Sequence, residues 1–223
     1  MQLLQGDGAM VKDNNPYDKK YAGQEYYWGK KPSVLCDKVI KIMHPASNFH
    51  PKLLDLGYGE GRNAVYLAKN GFDVNGLDMS KIGLEKMLKY AKETGVSVKE
   101  TQADIASYQL TDTYDVIFST GTLHHLPLET RNNHFQNYKD HTASDGINAF
   151  SVLVAKPFIP RAPDSEETGH LYKSGESMSY YWDWEILHCE EEIFDCTSSG
   201  VPHRHVVDRI IARRHRNDND TQS

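Results

Sequence analysis

A chain of 223 residues, 39% hydrophobic and 25% charged, is long enough to bury one α/β core without disulfides or structural metal. Its 25 Lys and Arg against 31 Asp and Glu leave a net charge of −6, which excludes gripping a nucleic-acid backbone by bulk charge, and no apolar run is long enough for a membrane helix. Residues 1–10 lack the charged-then-apolar pattern of a secretory signal, and Cys36, Cys189 and Cys196 are odd in number and unrelated in spacing, so free thiols in the cytoplasm are expected.

Residues 1–20 are polar, carry turn signals such as Asn15-Pro16, and are expected to form a partly disordered lead. A single domain is expected over 21–214, with a disordered tail at 215–223. Residues 52–56 read as a first strand ending in a glycine cluster, 63–69 as a helix stopped by Gly71, and 72–77 as a second strand. Ser80 suits an N-cap. Leu84, Met87, Leu88 and Ala91 then share one helical face, and Gly95 ends that helix. Strands follow at 96–102 and 114–119, a polar helix at 129–141, and a long strand at 147–155. Residues 156–179 have no period, and a lid loop is expected there. Strands at 189–197 and 205–213, joined by the hairpin segment SSGVPHRH, close the chain. Strands alternating with helices predict an α/β fold. Its sheet should be mostly parallel, with helices on both faces and an antiparallel closing hairpin.

The segment Leu53-Leu54-Asp55-Leu56-Gly57-Tyr58-Gly59-Glu60-Gly61-Arg62-Asn63 is a strand, a glycine turn and a helix start. A dinucleotide site wants G-x-G-x-x-G, but here Gly61 comes one place early and Arg62 fills the slot. Asp55 before the first glycine would repel a pyrophosphate and attract a cation. S-adenosylmethionine, with its sulfonium and ammonium, suits such an entrance. Asp78 ends the second strand, where a carboxylate can accept from both ribose hydroxyls. Asp104 follows the third strand and can accept from an adenine amino group, with Ile105 offering an apolar face. The plainer reading is a tight turn with three solvated strand-end aspartates. Against it stands the alignment of all these features on one sheet edge.

DLGYGEGRN, GLDMS, QADI and FSTGTLHHL resemble the class I S-adenosylmethionine-dependent methyltransferases. GEGRNAVYLAKNGFDVNGLDMS, Tyr27-Trp28-Gly29-Lys30-Lys31-Pro32 and Gly200-Val201-Pro202-His203-Arg204-His205 resemble the tellurite-resistance (TehB-like) branch. The chain departs from that branch at Tyr58, where cysteine is usual, and at Ala143-Ser144-Asp145-Gly146, where a Pro-Gly-Gly turn is usual. The resemblance implies a Rossmann-like, seven-stranded sheet with S-adenosylmethionine as cofactor. It also implies cofactor contacts from Tyr27, Trp28, Asp55, Gly57, Gly59, Gly61, Arg62, Asp78, Met79, Asp104, Ile105 and Ser119.

Methyl transfer from a sulfonium is mainly a positioning task. A thiolate or chalcogen oxyanion needs little base help, whereas a phenol or amine more often needs it. Tyr26, Tyr27 and Trp28 are read either as an aromatic lid or as ordinary packing of an N-terminal helix. His124 and His125 are read as pocket lining or a proton acceptor, or as caps of backbone groups. Ser119-Thr120-Gly121-Thr122 replaces the Asn/Asp-Pro-Pro-Tyr segment that methylation of DNA-base amino groups would want. Arg204 suits an oxyanion, flanked by His203 and His205. Spacing shows no third ligand beside those two histidines, so no metal site is expected. Cys189 and Cys196 read as ordinary strand residues. The expected function is methyl transfer to a small molecule, a tellurite- or selenite-type oxyanion or a thiol, with no nucleic-acid or membrane partner. The rivals are a small-molecule O- or N-methyltransferase on the same scaffold and a non-catalytic cofactor-binding module.

Overall fold

A computed structural model describes residues 15–46, 48–163, 170–197 and 200–216. The apolar run at 52–56 becomes β1 (Lys52–Leu56), buried at its last four positions. It pairs in parallel with β2 (Asp73–Asp78) on one side and β4 (Tyr114–Thr120) on the other. Beyond β2 lies β3 (Lys99–Gln102), an exposed edge, and beyond β4 lies β5 (Thr142–Val154). The closing hairpin of β6 (Glu185–Cys196) and β7 (His203–Arg213) joins antiparallel through β7, giving the order β3-β2-β1-β4-β5-β7-β6. The order reverses between β1 and β4, which opens a crevice at their carboxyl ends. β7 runs against β5 with Val206 opposite Val154, so its first residues stand at that same edge.

Alternation along the strands feeds two cores. Leu53, Val116, Phe118, Ile147 and Ala149 face one, covered by α2 (Val34–Met43), α3 (Arg62–Lys69) and α4 (Lys81–Thr94). Leu54, Leu56, Ile117, Phe150 and Val152 face the other, covered by α5 (Arg131–Asp140) and by Tyr172 and Tyr181 of the segment before β6. The cap at Ser80 forms as expected, its hydroxyl accepting from Gly83 N–H at 2.9 Å, and Gly95 closes α4 in the left-handed region.

Several boundaries move. The described residues begin at Asn15, which caps α1 (Pro16–Tyr21), with Pro16 at the first helical position. Asp18 of α1 accepts from the Ser80 hydroxyl at 2.5 Å, which ties the helix to the α4 start. The rest of the expected lead, residues 1–14, lies outside the described residues, as does the tail from 217 onward. β5 starts five residues early, at Thr142. Asp145 takes a φ of 63° there, and a side chain on Gly146 would come within 2.8 Å of the Asp115 carbonyl. α2 was not among the expected elements, although Ser33 caps it and Leu35, Cys36 and Val39 are buried. β7 takes in His203 and Arg204, so these are strand residues rather than loop residues.

The expected lid is only partly loop-like. Residues 164–169 lie outside the described residues, but Tyr172 is fully buried and bridged to Val154, and Glu176–Ser179 forms the short helix α6. In the turn after β1, Tyr58 lies over Gly76 of β2, where any Cβ would fall 2.4 Å from the Tyr58 ring. Among the described residues no helix is long and apolar enough to cross a membrane, and the three cysteines form no disulfide.

Candidate functional site

The crevice is a cleft of about 1290 Å³ at the carboxyl edge of the sheet. Its floor is the glycine turn. Gly57 has a φ of 78°, and a Cβ there would meet the Thr122 hydroxyl at 2.2 Å. Gly57 and Gly59 line the cleft. Gly61 does not, and its Cβ would strike Met87 at 2.4 Å. Gly61 is therefore glycine so that α3 can pack on α4, not to admit a ligand.

Asp78 lines the cleft and pins the turn: its carboxylate accepts from Gly59 N–H and from Ser80 N–H, each at 2.8 Å. Each oxygen keeps a second acceptor direction. Asp104 accepts from Ala106 N–H at 2.9 Å and lines the cleft with Met79 and Ile105. These expected cofactor contacts therefore share one wall.

Asp55 is buried just behind that wall, and its Oδ2 has no hydrogen-bond partner among the described residues. Burial, then the nearby Asp78 carboxylate, pushes its pKa up to about 8, with Arg62 opposing. A buried, unpartnered carboxyl is what a bound cation would relieve. The same burial predicts a pH effect. Between about pH 4 and pH 8 the folded protein holds a proton on Asp55 that the unfolded chain releases, so stability falls as pH rises through that window. In urea titrations of unliganded protein, Asp55→Asn should lose less stability than wild type over that window and be the more stable of the two at its upper end. Parallel curves for both proteins would contradict the burial argument.

Tyr27 and Trp28 line the rim in a turn, not a helix, so helix packing does not explain them. Their rings meet edge-on at 4.7 Å, and the Trp28 indole N–H donates to the Tyr21 hydroxyl at 3.3 Å. Arg62 lines the cleft, and its guanidinium donates to the Trp28 carbonyl at 3.4 Å. Ser119 is a correction: fully buried, it donates to the Leu56 carbonyl at 2.8 Å and holds β4 to β1. Thr120 and Thr122 take its place on the cleft.

Tyr17, Lys20 and Tyr21 of α1, none of them an expected site residue, also line the cleft. The Asn15-Pro16 pair was the available signal, an N-cap followed by proline at the helix start. The Tyr17 hydroxyl lies 2.8 Å from His125 Nε2. His124 is buried, and its Nδ1 has no partner among the described residues. Burial, then the neighbouring His125 and His205, pushes its pKa well down, so it is neutral.

On β7, His203 and His205 meet, Nε2 to Nε2, at 2.9 Å. Strand alternation puts Arg204 on the opposite face, exposed, in register with Asp195. Arg204 and His205 both border the cleft but do not converge on one point. The hairpin register also sets Cys196 opposite His203.

The sheet order, the glycine turn and the strand-end aspartates define a class I methyltransferase fold. The structure of TehB from Haemophilus influenzae superposes with a TM-score of 0.72 at 24% identity, covering 89% of this chain and 65% of that one. Coclaurine N-methyltransferase bound to N-methylheliamine and SAH superposes at 0.63 with 12% identity, over 81% of this chain and 72% of that one. The chain belongs to the TehB family: the family model "Tellurite resistance protein TehB" matches residues 10–200. A curated relative from Haemophilus influenzae, named "Probable S-adenosyl-L-methionine-dependent methyltransferase TehB", is 27% identical over 178 residues, which make up 78% of this chain and 59% of the relative. The chain thus spans about three-fifths of that relative's length.

Proposed function

We propose that this chain is an S-adenosylmethionine-dependent methyltransferase acting in the cytoplasm on a small acceptor, a chalcogen oxyanion or a thiol. The buried carboxyl of Asp55 behind a glycine turn, with its Oδ2 unpartnered among the described residues, carries the reading, because an approaching cation would draw off its proton and pair with it, whereas a pyrophosphate would gain nothing there. Asp78 would hold the ribose, Asp104 and Ile105 the adenine, and Asp55 the ammonium. When bound, the cofactor supplies an electrophilic methyl group. Tyr27 and Trp28 would cover it and exclude water. The opposite wall would orient the acceptor, with Arg204 offering a cation to an oxyanion.

A neutral, buried His124 favours a second reading, a protic acceptor such as a thiol or phenol whose proton His124 accepts. The test is a radiolabelled-methyl assay with selenite, tellurite, thiols and phenols, alongside S-adenosylhomocysteine calorimetry. Arg204 is exposed, so its charge is screened; Arg204→Ala should slow oxyanion turnover about tenfold, roughly 1.4 kcal/mol of barrier, with cofactor affinity unchanged. If the acceptor is instead protic, His124→Gln should lower turnover about a hundredfold and Arg204→Ala should leave it alone. Cofactor binding without turnover of any acceptor would point to a non-catalytic module.

A further inference from the structure

We propose that Cys196, His203 and His205 form a three-ligand site for a divalent cation of the zinc class on the acceptor wall of the cleft. The two hairpin strands assemble it. Cys196 of β6 pairs with His203 of β7, and His205 lies two residues along on the same strand face. The Cys196 Sγ and one ring nitrogen of each histidine lie within 4.8 Å of one another. A tetrahedral zinc with nitrogen ligands at about 2.0 Å and sulfur at about 2.3 Å holds its ligand atoms roughly 3.3–3.6 Å apart. Small rotamer shifts bring these three groups to that spacing.

The protonation pattern supports the site. His203 Nδ1 lies 2.7 Å from the Val201 carbonyl oxygen. A carbonyl only accepts, so Nδ1 carries the proton and Nε2 presents its lone pair. A backbone carbonyl on the far nitrogen is the usual orienting partner of a metal-bound imidazole. The lone pair points at His205 Nε2, 2.9 Å away. A cation bound between the two rings would take the place of that hydrogen bond. Two imidazoles and a thiolate are a borderline-to-soft ligand set, suited to zinc rather than magnesium or calcium.

Three protein ligands leave a fourth position open. Cys196 and His205 border the cleft, so that position faces the acceptor space. Granted the methyltransferase reading, a thiol acceptor would lose its proton to water and bind the cation there as a thiolate. The cation site itself does not depend on that reading.

The test uses the untagged full chain. Zn²⁺ is titrated against a chromophoric chelator, and Co²⁺ is added separately to look for a thiolate-to-metal charge-transfer band. One equivalent of Zn²⁺ and a charge-transfer band are expected. Cys196→Ser and His205→Ala should each lower affinity by more than the ten- to hundredfold that outer partners cost, that is by over about a hundredfold, and Cys196→Ser should remove the band. Cys189→Ser, on the same strand but outside the cluster, should change neither. Far-UV circular dichroism and urea denaturation of every variant report whether the domain has folded, and S-adenosylhomocysteine calorimetry tests the cofactor reading separately. No Zn²⁺ binding by folded wild type, or equal binding by folded Cys196→Ser, would overturn the proposal.

Discussion

Asp78→Ala is expected to weaken S-adenosylhomocysteine binding by more than about a hundredfold, a loss near 3 kcal/mol. The side chain serves two ends at once. It accepts from Gly59 N–H and Ser80 N–H, which fixes the glycine turn against the end of β2. Its remaining acceptor directions face the cleft, where a ribose would donate to them. Alanine removes both sets of contacts and leaves two amide groups to find water. Hydrogen bonds to a charged acceptor contribute about 1.5–3 kcal/mol each, so losing a turn anchor together with a ligand contact reaches the upper part of that range. Asp78→Asn keeps one acceptor oxygen and should fall between wild type and alanine. Calorimetry at fixed pH measures this directly. Wild-type affinity in the alanine variant would place the ribose elsewhere.

Arg131→Ala should cost about 3–5 kcal/mol of unfolding free energy. Arg131 is buried to 1% exposure at the start of α5. Its guanidinium pairs with Glu176 at 2.6 Å, donates to the carbonyls of His170 and Leu126, and lies 3.7 Å over the Tyr172 ring. It therefore clamps the chain before β6 to the start of α5. Removing it leaves Glu176 short of its ion partner and two carbonyls without a donor. Arg131→Lys keeps the charge but not the planar fork, and should recover only part of the loss. Urea denaturation monitored by tryptophan fluorescence reads the change. A loss below about 1 kcal/mol would mean that solvent readily replaces these contacts.

The clamp also marks where sequence reading stops. Elements set by local signals were legible: the apolar runs of β1 and β4, the Ser80 cap and the Gly95 stop are each written within a few residues. So were the cleft-lining Asp78 and Asp104, because each stands at or just past the end of its strand and so on the carboxyl edge. The chain around Tyr172, Tyr180 and Tyr181 has no period of its own. Its order comes from Phe135, which stacks on Tyr180 at 4.1 Å, and from Arg131, both distant in sequence. Ser119 was misplaced by one residue, which on a strand exchanges the two faces. Cys196 and His203 illustrate the same limit from the other side. Their encounter depends on hairpin register, and residue spacing does not encode it.

Tyr58 and Gly76 are sterically interlocked, because the Tyr58 ring occupies space that only a glycine at 76 leaves open. A side chain added at 76 would strike the ring and force the glycine turn away from the end of β2. Shortening the side chain at 58 would instead remove the obstacle. What residue 76 can tolerate is therefore conditional on what stands at 58, so the two positions can be exchanged together but not independently.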